Sequence, residues 1–198
     1  MVHDISRFIA FILIKILFRL KVKGIENIPK KGAFILASNH VSYLDPPVVG
    51  VSCPRRLSYM ARDTLFLQPL FAWWLRKVGV FPVKRNSADI SAFKESLRRL
   101  AQGGGLLIFP EGTRQKNGVL GSAEPGVGFL VAKTNLPVIP VFVKGTEKIL
   151  PKDAKRLNLS NITVCFGEQI PLERRMPYQD IALLIMNSIR HLSCTGLN

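Results

Sequence analysis

His40 and Asp45 are separated by four residues in the segment Asn39-His40-Val41-Ser42-Tyr43-Leu44-Asp45. A hydrogen-bonded imidazole is a good general base for a hydroxyl near neutral pH. A carboxylate beside it holds one tautomer and stabilises the imidazolium as it forms. On one continuous helix this spacing would send the two side chains to different faces. Across a strand-to-helix turn the chain doubles back and lets them meet. Asp45 also has a purely structural reading: ahead of Pro46 and Pro47 it is a sound helix N-cap with proline in the first turn. The pair alone is a weak signal. Of the three histidines, however, His3 lies in a terminal segment and His191 in a C-terminal helical pattern, which leaves His40 as the well-placed base.

Three further groups carry chemistry or shape. In Phe109-Pro110-Glu111-Gly112-Thr113-Arg114, Pro110 stops an apolar strand and Gly112 permits a tight turn. Glu111, Thr113 and Arg114 could then project into one cleft, with Arg114 gripping a phosphate through its planar fork. The alternative is an ordinary polar turn with a surface ion pair. Lys84 and Arg85 end a short strand that begins after Gly79. They form either a phosphate site with Arg114 or a solvated strand edge that discourages aggregation. Pro137 and Pro140 interrupt an apolar strand and suggest a sheet edge or a shaped wall.

The elements that must position these groups follow from periodicity. Strands are predicted over residues 33–37, 57–61, 80–84, 106–109, 138–143 and 162–166. Helical spacing marks residues 63–78, with an interruption near Pro69. It also marks Ile90, Phe93, Leu97 and Leu100, then residues 126–134, then Ile181, Leu184, Ile185, Ile189 and Leu192. The triglycine at residues 103–105 reads as a helix C-cap; no Gly-Lys-Ser/Thr follows it, so it is not a phosphate loop. Strands alternating with helices predict a single α/β layered domain, with a largely parallel or mixed central sheet flanked by helices.

Composition narrows the partners. The chain has 198 residues, a net charge of +15 and a hydrophobic fraction of 47%. Mean hydropathy is +0.21. Basic charge with high apolarity points to an anionic membrane surface. Zinc-finger spacing, zipper heptads and aromatic-basic RNA signatures are lacking, so no nucleic-acid partner is expected. Cys53, Cys165 and Cys194 are scattered, which fits a reducing compartment and predicts neither a disulfide framework nor a metal site. At the N-terminus the apolar run 8–14 is interrupted by Lys15 and Arg19, too short and too charged for a comfortable membrane span. Residues 1–20 are predicted to form an amphipathic helix lying on the membrane, or else docked on the protein's own core. Residues 21–198 form the remaining domain. Trp73 and Trp74 cannot both face the same way on a helix, so at least one could reach an interface.

Taken in order, the four motifs resemble those of the lysophospholipid and glycerol-phosphate acyltransferases, the bacterial 1-acylglycerol-3-phosphate acyltransferases among them. His40 through Asp45 resembles the first motif, and residues 79–85, with Arg85, the second. Residues 109–114 resemble the third over all six positions, and residues 136–141 the fourth. Gln115 stands where that family often has serine. The resemblance implies transfer of a fatty acyl group from an acyl-carrier-protein or coenzyme A thioester to the free hydroxyl of 1-acylglycerol 3-phosphate, giving phosphatidic acid. It implies His40 as general base oriented by Asp45. Arg85, Glu111, Gly112, Thr113 and Arg114, with Lys84, would bind the glycerol-phosphate end. No cofactor is called for. The expected location is peripheral or monotopic, at the cytoplasmic face of the cell membrane.

Overall fold

Apolar runs bounded by Gly and Pro become seven strands of one sheet in the computed structural model, which describes residues 1–84, 89–116, 118–151, 156–173 and 175–195. The strands are β1 (Lys21–Lys23), β2 (Phe34–Ser38), β3 (Leu57–Arg62), β4 (Val80–Val83), β5 (Gly105–Ile108), β6 (Val138–Lys144) and β7 (Thr163–Phe166). Their spatial order is β1-β7-β6-β2-β5-β3-β4. Strands β6, β2, β5, β3 and β4 run parallel, β7 is antiparallel to β6, and β1 is parallel to β7. The expected α/β domain is therefore present with a mixed, mostly parallel sheet.

The helices are α1 (Val2–Phe18), α2 (Asp45–Ser52), α3 (Pro69–Lys77), α4 (Ile90–Ala101), α5 (Pro125–Thr134), α6 (Thr146–Ile149) and α7 (Tyr178–Thr195). The interruption expected near Pro69 separates a 3-10 turn at Asp63–Phe66 from α3. Strand β1 and helix α6 were not anticipated. Three and four residues long, they carry too little periodicity to read, and β1 exists through its pairing with β7.

Alternation along buried strands divides the core in two. Phe34 and Leu36 of β2 join Ile14 and Phe18 of α1 and Val48 and Val49 of α2 on one face. Ile35 and Ala37 join Leu100 of α4, Leu130 of α5 and Ile185 of α7 on the other. Burial of a large aliphatic or aromatic side chain contributes roughly 1.5–3 kcal/mol. Ile14 and Phe18 therefore make α1 part of the core as well as a surface element.

Pro140 corrects the edge reading, because β6 lies inside the sheet between β7 and β2. The Pro140 carbonyl accepts from Gly167 N–H on the β7 side, just past the last ladder pair, Val141–Phe166. The donor that proline lacks thus falls beyond the ladder, where no partner strand requires it. Pro82, by contrast, does sit in an edge strand, β4.

Candidate active site

The carboxyl ends of three adjacent parallel strands converge on one place. Strand β2 sits between β6 and β5, and the chain leaves it for β3 on one side and later returns to β6 on the other. Such reversals open a crevice beyond the strand ends. His40 follows β2, Glu111 follows β5 and Thr146 follows β6.

His40 Nδ1 lies 2.9 Å from Asp45 Oδ2. An ionised carboxylate only accepts, so Nδ1 carries the proton and Nε2 is left as the acceptor nitrogen. Asp45 is fully buried and accepts four bonds. His40 Nδ1–H, Val41 N–H and Ser42 N–H reach Oδ2, at 2.9, 2.7 and 2.7 Å, and the Thr146 hydroxyl reaches Oδ1 at 2.6 Å. The capping alternative for Asp45 is not what its carboxylate does. It turns back to the loop and leaves α2 without a side-chain cap. The two prolines explain why this is tolerated: they remove amide donors from the first turn, so fewer need satisfying.

The imidazole is held from three directions. Its ring stacks on Phe109, with centroids 4.0 Å apart and planes inclined by 22°. Its backbone N–H donates to Glu111 Oε2 at 2.8 Å, and its carbonyl accepts from Gln115 N–H at 2.7 Å. The loops after β2 and β5 are thereby bonded to each other on both sides of His40. Asn39 fastens the loop to β6 through a two-way amide clamp, donating to Val143 carbonyl at 2.9 Å and accepting from Val143 N–H at 2.8 Å.

Glu111 has a different environment from the one its place in a polar turn suggests. It is buried, and its second oxygen accepts from Gly121 N–H at 2.8 Å. Burial pushes its carboxyl above the usual range, opposed by the two amide donors, and the nearby Asp45 charge adds to the rise. A carboxylate whose oxygens both hold backbone amides braces the loops on either side of it.

Gly112 has φ +62°, a left-handed conformation costly for other residues, and a Cβ there would stand 2.9 Å from Glu124 Cγ. Arg114 stacks over the Tyr43 ring, its guanidinium carbon 3.4 Å from the ring centroid. Tyr43 is exposed and belongs to the same turn as the His40–Asp45 pair. Thr113, between Gly112 and Arg114 in sequence, is half-buried. The tertiary structure thus brings His40, Asp45, Glu111, Gly112, Thr113 and Arg114 to one strand-end cluster. Lys84 follows the last residue of β4, three places from β2 in the sheet, with its backbone N–H on Asp89 at 2.7 Å and its side chain exposed. Arg85 lies outside the described residues.

Sequence reasoning missed Thr146, the clamping role of Asn39, and Ser42, whose hydroxyl donates to Leu150 carbonyl at 2.7 Å. Asn39 and Ser42 lie inside the first motif and could have been flagged as polar residues beside a strand end. Thr146 has no neighbouring signal except its place just after a parallel strand.

Known proteins resemble this chain in sequence and in fold. An acyltransferase family model matches residues 19–144. The chloroplastic 1-acyl-sn-glycerol-3-phosphate acyltransferase of Arabidopsis thaliana is 31% identical over 172 residues, covering 85% of this chain and 48% of that protein. The 1-acyl-sn-glycerol-3-phosphate acyltransferase of Streptococcus pneumoniae is 32% identical over 143 residues, covering 69% of this chain and 52% of that protein. The chain spans about half the length of the curated relatives it matches. A crystal structure of the 1-acyl-sn-glycerophosphate acyltransferase PlsC from Thermotoga maritima shares the fold, with a TM-score of 0.78 at 23% identity over 98% of this chain and 83% of that one.

Proposed function

Because the chain belongs to the acyltransferase family, we propose that it transfers a fatty acyl group from an acyl-carrier-protein or coenzyme A thioester to the free hydroxyl of 1-acylglycerol 3-phosphate, giving phosphatidic acid. The observation that carries this reading is the His40 Nδ1–Asp45 Oδ2 contact at 2.9 Å, which leaves Nε2 as the proton acceptor. The acceptor hydroxyl oxygen attacks the thioester carbonyl carbon while its proton passes to Nε2 of His40. The tetrahedral intermediate then collapses, the C–S bond breaks, and the departing thiolate takes the proton back. Asp45 stays ionised throughout, held by its amide and hydroxyl donors, and stabilises the imidazolium between the two transfers. No covalent acyl-enzyme is required.

Arg114, held against the Tyr43 ring, offers its N–H groups to the acceptor phosphate, with Arg85, Lys84 and Thr113 as further binding groups. Gly112 supplies a turn in which the backbone approaches the ligand without a side chain. Glu111 serves the phosphate end indirectly, by fixing the loop from which Arg114 extends.

The chain works at the cytoplasmic face of a membrane, with α1 lying on the surface. No described helix is long and apolar enough to cross a bilayer. Along α1, Phe11, Ile14 and Phe18 pack on the core, while Phe8, Ile9, Leu13 and Ile16 are exposed and free to meet a membrane surface. Arg7 turns toward the protein, its guanidinium donating to the Cys53 carbonyl at the end of α2.

The test is acyl transfer to lysophosphatidic acid by wild type and by His40→Ala. General acid–base catalysis contributes on the order of 10²–10⁴-fold, so a loss of that size is expected. Undiminished turnover in the variant rules out the general-base role, and equal rates on acceptors lacking phosphate rule out the arginine assignment.

A further inference from the structure

The helical layer that carries α1 has a second exposed apolar element. Leu67, just before α3, and Leu70, in its first turn, are 79% and 80% exposed, and Trp73 further along α3 is half exposed. Large contiguous apolar surface on a folded chain marks an interaction site rather than chance. The two elements touch: Trp74 Nε1 donates to Ser6 Oγ of α1 at 3.1 Å. The adjacent tryptophans thus divide their tasks. Trp74 joins α3 to α1, and Trp73 stands outward with the leucines.

Charge and position identify what covers this surface. Arg76 lies 5.3 Å over Phe66, and Lys77 5.9 Å over Trp73. Aromatic rings and long cationic side chains rimming an apolar strip suit a lipid headgroup boundary. A second copy would bring these cations, and two chains of net charge +15, face to face. The 3-10 turn begins where β3 ends, at the same end of the sheet as His40. The C-terminal end of α1 reaches that end too, since the Phe18 carbonyl accepts from Ile162 N–H beside the start of antiparallel β7.

We propose that α3 and its preceding turn form, with α1, a two-element surface for an anionic bilayer, with Leu67, Leu70 and Trp73 entering the headgroup boundary. This rests on the membrane-lipid reading of the substrate. The strip lies at the same end of the sheet as His40, so an acceptor lipid would meet the site at the bilayer edge rather than from solution.

Both tryptophans of the chain are in α3, so intrinsic fluorescence reports this element alone. With phosphatidylglycerol–phosphatidylcholine vesicles, emission of the full chain is expected to shift to the blue and to be quenched by lipids brominated on the acyl chain. Leu67→Glu with Leu70→Glu is expected to lower vesicle partitioning by about a hundredfold, taking roughly tenfold per buried leucine. Turnover of a water-soluble short-chain acceptor should be unchanged. Wild-type emission without quenching, partitioning of the double variant equal to wild type, or a dimer that the double variant dissociates would each overturn the proposal. Vesicle binding as expected, with no acyl transfer to any acceptor, would instead defeat the enzymatic reading and leave this surface standing.

Discussion

The Thr146 hydroxyl donates to Asp45 Oδ1 at 2.6 Å, joining residues 101 positions apart inside the protein. It takes up the carboxylate oxygen that His40 does not use, and so fixes which way Asp45 faces. Thr146→Val keeps the shape and deletes the donor. A hydrogen bond to a charged group is worth roughly 1.5–3 kcal/mol, and kcat should fall at least tenfold with KM for the acceptor little changed. Losing this donor concentrates charge on Asp45, so the acid limb of the pH–rate profile should move to higher pH. Thr146→Ser should restore both. An unaltered profile in the valine variant would show the bond to be structural only.

Glu111 carries the second test. Its two oxygens accept from His40 and Gly121 backbone amides. In Glu111→Gln the new amide group must point a donor at one of those donors. Leaving a buried group unsatisfied costs about 1–3 kcal/mol, so the melting temperature and kcat should fall together. A direct acceptor-binding role predicts a different pattern: KM for the acceptor would change while the melting temperature and kcat held.

Tyr43 separates positioning from charge at Arg114. The ring lies against the guanidinium at 3.4 Å. Tyr43→Ala should raise KM for a phosphorylated acceptor, because Arg114 then samples more rotamers before binding. Tyr43→Phe keeps the ring face and should behave as wild type. Equal KM in all three proteins would remove the stack from the account of specificity.

Acid stability is set partly at the far edge of the sheet. Asp89 caps α4 and holds the end of β4. The Lys84 amide, then the Ser91 hydroxyl and the Ala92 amide, keep its carboxyl at about 2. Arg98, then Arg99, hold Glu95 at about 2. Both groups sit below their unfolded values, so what they contribute is present above about pH 4.5 and is lost as pH falls toward 2. Thermal unfolding followed across that range should show a drop that Asp89→Asn with Glu95→Gln flattens. The double variant should also melt lower than wild type at pH 7.

Most of the architecture was legible because it rests on local periodicity. The buried run of β2 and the 3.6-residue spacing of α4 and α7 are each carried by several residues of one segment, so small errors at the ends do not hide them, and the break at Pro69 follows from proline's own backbone chemistry. Turn chemistry was legible for the same reason: the triglycine ends α4, with Gly103 at φ +78°. Pro140 was misplaced because a proline's tolerance depends on which side of a strand its missing donor faces, and that is decided by the neighbouring strand.

By itself the sequence determined the α/β layering, the His40–Asp45 pair with the residue 109–114 loop, and a basic chain with an apolar first helix. Only the tertiary structure decided how Asp45 is used, that Thr146 completes its shell, that Glu111 supports His40 from behind, and that Trp74 joins α3 to α1. The reason is physical. Helix and strand preferences act between residues a few positions apart and so leave a repeating mark in the sequence. A hydrogen bond between Asp45 and Thr146 is a single event between distant residues. It forms only after parallel strands have brought their carboxyl ends side by side.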